Sequence, residues 1–89
     1  MIAKQIQVQN PHGLHMRVAG ELIRLARASG SRIVLERQDN RKTAEAESML
    51  GLLLLEATPG TDLVVKVEGP EESRTVIRIE ELFEGGAGI

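Results

Sequence analysis

Eighty-nine residues, 42% of them hydrophobic and 27% charged, make one small domain with a single modest core. The chain has no cysteine, which excludes disulfides and thiolate metal sites and suits a reducing compartment. A formal net charge of −2 and one aromatic residue, Phe83, argue against a nucleic-acid binder, which needs a basic face and stacking rings.

The chain opens Met-Ile-Ala-Lys-Gln-Ile, with no apolar signal region, and its longest apolar run, residues 49–55, falls far short of a membrane span. A cytoplasmic protein without membrane insertion is expected. Ile2, Ile6 and Val8 alternate with polar residues, which predicts a strand over 2–9 with one buried face. Lys4 falls on the apolar side and is expected to reach past the edge of the core. Pro11 and Gly13 then mark a turn. From Val18 onward the apolar residues Val18, Ala19, Leu22, Ile23, Leu25 and Ala26 keep helical spacing, so a helix is predicted over 16–28, stopped near Gly30.

A second strand is predicted over 32–37, a turn at 38–41, and a third strand over 42–47, the two strands forming a hairpin. Ser48 is a good N-cap for a short helix over 49–55. Its unbroken apolar run exceeds what one short helix can bury, so some of Met49, Leu50 and Leu53 are expected at the surface, the mark of an interaction site; full burial is the plain alternative. Thr58-Pro59-Gly60-Thr61 is a turn, and 62–68 a fourth strand. Gly69-Pro70-Glu71-Glu72 starts a last helix with the apolar stripe Val76, Ile79, Leu82 and Phe83. Alternating strands imply one buried sheet face, so the helices should all cover one side, a two-layer α/β sandwich. Residues 1–84 are expected to form the domain and 85–89 a flexible tail.

Charge is shared unevenly. Residues 16–42 hold seven cations and three anions, whereas residues 43–89 hold three cations and ten anions. The basic part surrounds the first helix and suits the steering of an acidic or phosphate-bearing partner; a merely solvated face is the alternative.

His15 stands at or beside the start of the first helix, where backbone N–H groups lack helical partners and the peptide dipoles present their positive end. Such a helix end binds anions. Arg17 adds a planar cation whose fork fits phosphate oxygens. A neutral imidazole is a nucleophile near neutral pH, so the combination suits a histidine that accepts a phosphoryl group. An ordinary surface histidine is the plain alternative. A metal site from His12 and His15 is a weak reading, because structural zinc takes four ligands and the chain has no other histidine or cysteine.

Gly13-Leu14-His15-Met16-Arg17 resembles the active-site signature of HPr, the histidine-containing phosphocarrier of the bacterial phosphotransferase system, and Ser48-Met49-Leu50-Gly51 resembles its regulatory-serine segment. The resemblance covers residues 2 to about 84. It implies an open-faced β-sandwich, a four-stranded antiparallel sheet with three helices on one face in the order β-α-β-β-α-β-α. It implies that His15 is phosphorylated on Nδ1 with help from Arg17. Enzyme I, charged by phosphoenolpyruvate, would be the donor and an enzyme IIA-type domain the acceptor, making the chain a stoichiometric relay and not an enzyme. It further implies a monomer without cofactor or metal. Partners would dock on Met16, Gly20, Arg24 and Arg27 and on Met49, Leu50 and Leu53, and an HPr kinase/phosphorylase could act on Ser48. Four departures stand out: Val18 replaces the usual Pro, Met16 a small residue, Glu47 a basic one, and the hairpin turn is about two residues longer. Val18 and Met16 keep open a second reading, an HPr-like regulator of carbon or nitrogen control that acts by docking alone, and Glu47 bears on phosphorylation of Ser48.

Overall fold

Strand alternation and helical spacing both follow from which side chains must leave water. The computed structural model describes residues 1–85, with β1 (Ile2–Gln7), α1 (Met16–Ser29), β2 (Arg32–Arg37), β3 (Thr43–Glu45), α2 (Met49–Leu54), β4 (Asp62–Glu68) and α3 (Glu72–Phe83). The strands form one antiparallel sheet in the order β1-β4-β2-β3. Its register brings Ile6 opposite Leu63, Val65 opposite Leu35, and Leu35 opposite Ala44, so the apolar residues share one face. On that face lie Val18, Leu22 and Ala26 of α1, Leu52 of α2, and Val76, Ile79 and Phe83 of α3, all buried. Full burial of a Val, Leu, Ile or Phe side chain is worth roughly 1.5–3 kcal/mol, and this layer is the main source of stability. The other face of the sheet is laced with charge: Arg32 pairs with Glu45 at 3.0 Å, and Glu36 accepts from Arg41 and from Lys66. The fold is the two-layer open-faced sandwich.

The element borders need five corrections. β1 ends at Gln7 and not Gln9, because the Val8 N–H donates to Thr61 O (2.9 Å) and the Gln9 N–H to Phe83 O (2.8 Å), outside the ladder. β3 keeps only Thr43–Glu45, since the Ser48 N–H folds back to Glu45 O (3.0 Å) and turns the chain into the cap of α2. α2 closes at Leu54 with Leu55 as its cap, and α3 opens at Glu72, whose carboxylate accepts from the Gly69 N–H (3.4 Å). α1 runs one residue further than expected, to Ser29, where Gly30 takes a left-handed conformation (φ 67°) and donates to Ala26 O. Lys4 does reach past the core, to pair with Glu80 of α3 at 2.9 Å. Of the expected tail 85–89, Gly85 closes a turn onto Leu82 O (3.3 Å), and residues 86–89 lie outside the described residues.

Candidate functional site

The segment between β1 and α1 is tied at three points. Asn10 is fully buried, and its side-chain amide donates to Leu82 O near the end of α3 (2.9 Å). The Gly13 N–H donates back to Asn10 O (2.9 Å), closing a turn around Pro11 and His12. The Leu14 N–H donates to Ala57 O (2.8 Å), and Leu14 itself is buried in the core. Gly13 has φ 69°, and a Cβ there would strike Ala57 O and come within 3.1 Å of Thr58 Cα. Only glycine suits both the backbone conformation and the space.

This turn delivers His15 to the helix start as the N-cap residue. Its backbone is extended (φ −101°, ψ 179°), its C=O accepts from the Ala19 N–H (2.9 Å), and its Nδ1 accepts from the Arg17 N–H at 3.3 Å. Accepting at Nδ1 assigns the ring proton to Nε2, so the lone pair of Nδ1 faces the Arg17 N–H in the first turn. The ring is half-buried, pointing neither inward nor away from its helix. Arg17 is exposed, and among the described residues its guanidinium has no ion-pair partner. Glu72 is the sole acidic residue in the first turn of α3, while the first turn of α1 has none, so nothing acidic competes there with an incoming anion. The His12 ring stands 6.0 Å from that of His15, centroid to centroid, at 76°. No group of three or more metal-ligating side chains occurs among the described residues.

Against known proteins, the family model described as "PTS HPr component phosphorylation site" matches residues 2–85. The chain belongs to the HPr family. It is 34% identical to phosphocarrier protein HPr of Treponema pallidum over 84 residues, covering 94% of this chain and 93% of that one. It is 32% identical to phosphocarrier protein NPr of Escherichia coli K12 over 87 residues, 97% and 96% of the two chains. Among solved structures, HPr from Thermoanaerobacter tengcongensis superposes with a TM-score of 0.84 at 27% identity, covering 96% of this chain and 93% of that one. This is a family of phosphocarriers of the phosphotransferase system.

The HPr signature lies at the helix start, and the residues expected to dock partners lie on α1 and α2. Met16 is 63% exposed, and Gly20 is half-buried with open space where a side chain would go. Arg24 and Arg27 are exposed, in weak pairs with Glu21 (3.5 Å) and Glu47 (3.8 Å). Glu47, one of the departures from the HPr pattern, thus answers Arg27 of α1. On α2, Leu50 is 69% exposed, but Met49 and Leu53 are half-buried, Met49 packing against the core. Leu54, 56% exposed, was not among the expected surface residues, although it follows Leu50 by four, one turn along the same helix face. Ser48 caps α2, its Oγ accepting from the Gly51 N–H at 3.0 Å. Asn10 and Arg37 were also missed. Arg37 donates to Leu55 O (2.9 Å) and Glu56 O (3.0 Å) at the end of α2 while Asp39 holds its other side. Nothing local foretells these bonds, because their acceptors lie 72 and 18 residues away in sequence.

Proposed function

We propose that this chain is a phosphocarrier that accepts a phosphoryl group on His15 Nδ1 from phosphorylated enzyme I and passes it to an enzyme IIA-type partner. The supporting observation is the cap geometry: a ring nitrogen aimed at the Arg17 N–H in the first turn of a helix, with an uncommitted guanidinium two residues on. In the transfer, the Nδ1 lone pair attacks phosphorus in line as the donor's N–P bond breaks. Each ring keeps its proton on its other nitrogen, so only the phosphoryl group crosses. The first-turn amides and Arg17 then hold the phosphate oxygens, and the bond must stay weak enough for onward transfer. The protein is consumed and regenerated one for one, a relay and not a catalyst of its own. The exposed apolar side chains of Met16, Leu50 and Leu54 give partners a surface that brings the two rings into line. For Ser48, the cap bond supports a structural role, and Glu47 beside it would repel an added phosphate.

The test is incubation with phosphoenolpyruvate and enzyme I followed by intact mass. The native protein should gain one phosphoryl group that mild acid removes, and His15→Ala should gain none. Full phosphorylation of His15→Ala at another residue would reject the assignment. A native protein that gains nothing while still binding phosphotransferase partners would be a docking regulator instead.

A further inference from the structure

We propose that Arg37 is a positioning residue for His15: by clamping the two carbonyls that close α2, it holds Glu56 in a left-handed turn and so aims Ala57 O at the Leu14 N–H, one residue before the ring. The inference rests on His15 being the acceptor. Arg37 stands at the end of β2, and its side chain is only 16% exposed. One arm of the guanidinium, Nη1, donates to Leu55 O (2.9 Å) and to Glu56 O (3.0 Å). Its other edge is fixed by Asp39 in the hairpin turn, with Nε donating to Oδ1 (2.9 Å) and Nη2 to Oδ2 (2.6 Å). A planar fork bound on both edges cannot swivel, so the carbonyls are held in direction as well as distance. They belong to the end of α2, where intrahelical donors have run out. The last turn of α2 has no basic residue of its own, and its cap is Leu55 and not a glycine. Glu56 then takes φ 51°, a left-handed backbone that a residue with a Cβ adopts rarely and keeps where its surroundings enforce it. The reversal at Glu56 leads directly to Ala57, whose C=O accepts from the Leu14 N–H (2.8 Å). Further on, the Gly60 N–H donates to Val8 O (2.7 Å) and the Val8 N–H to Thr61 O (2.9 Å). Residues 57–61 thus hold both ends of the loop that delivers His15, and Arg37 holds the entry to them.

The experiment compares native protein, Arg37→Met, Glu56→Gly and the double variant as substrates of phosphorylated enzyme I, at a temperature where circular dichroism shows each folded. Arg37→Met keeps the stem and removes every donor. It should lower kcat by about threefold to tenfold, the scale of one lost hydrogen bond, with KM for the carrier little changed. In hydrogen exchange, the Leu14 amide should lose more protection than the Leu22 amide inside α1, which separates local loosening from a general loss of stability. Glycine at position 56 makes the left-handed turn without the clamp, so adding Glu56→Gly to Arg37→Met should recover most of kcat. If Arg37→Met does not fold, Arg37→Lys, which keeps the charge but not the fork, is read by the same criteria. A native kcat in the folded single variant, a loss confined to KM, or a double variant no better than Arg37→Met overturns the proposal. Failure of the parent reading is separately visible: the native protein gains no mass, or His15→Ala gains it.

Discussion

Replacing Gly13 with alanine strains the site without touching its chemistry. The residue sits at φ 69°, and a side chain in the left-handed region costs roughly 1–2 kcal/mol. The added methyl also overlaps Ala57 O, the acceptor of the 2.8 Å bond from the Leu14 N–H, with Thr58 Cα and Pro59 Cδ at 3.1 and 3.3 Å behind it. These neighbours are backbone or a rigid ring and cannot swing aside. Losing that hydrogen bond adds about 1 kcal/mol, and the forced backbone shift about 1 kcal/mol or more. Gly13→Ala should therefore destabilise by about 3 kcal/mol or more, and for a domain of this size the melting temperature should drop by roughly 12–24 °C. Gly20→Ala is the matched control: its Cβ meets nothing within 4 Å, and it lies inside α1. That change should stabilise by about 0.5–1 kcal/mol. Thermal and urea unfolding by circular dichroism measure both. A Gly13→Ala protein melting within about 2 °C of native would refute the argument that this close approach holds the loop.

Arg17→Ala should leave the melting temperature nearly unchanged, since the side chain is exposed and unpaired among the described residues, but should slow phosphoryl transfer by about tenfold or more in rapid-quench assays. An unchanged rate would remove Arg17 from the mechanism. Acid should weaken the fold in a definite direction. Hydrogen bonds from Arg41, Arg37 and Arg32, in that order, hold the carboxyls of Glu36, Asp39 and Glu45 below their ordinary values. Depressed folded-state values mean stability that is present above the unfolded-state value of about 4 and lost as pH falls through the lower folded ones. A melting series from about pH 5 to about pH 2 should show this loss, and Arg41→Gln should flatten the part due to Glu36. An equal fall in both proteins would show that the pair has no part in it.

Much of the site could be read locally. A histidine followed by helical spacing is a cap candidate because the bond that makes it one, from the Arg17 N–H to His15 Nδ1, spans only two residues. The same holds for Ser48 and Gly51, three apart. What was not legible has its cause elsewhere in the chain. β1 stops where Thr61 and Phe83 capture the amides of Val8 and Gln9, and β3 is cut short by the turn into α2. Exposure within α2 depends on which way a helix six residues long is rolled against the sheet, which its unbroken apolar run cannot specify. Hence Leu50 was anticipated and Leu54 was not.

The amino-acid order alone determined the periodicities, and with them seven elements, one buried sheet face and a helix that starts beside His15, because those depend on neighbours within a turn or two. The folded chain alone decided where His15 is held. The end of α3 anchors Asn10, and the carbonyl of Ala57 closes against Gly13. Such contacts join residues some 40 to 70 positions apart, and only packing of the whole core brings them within bonding distance.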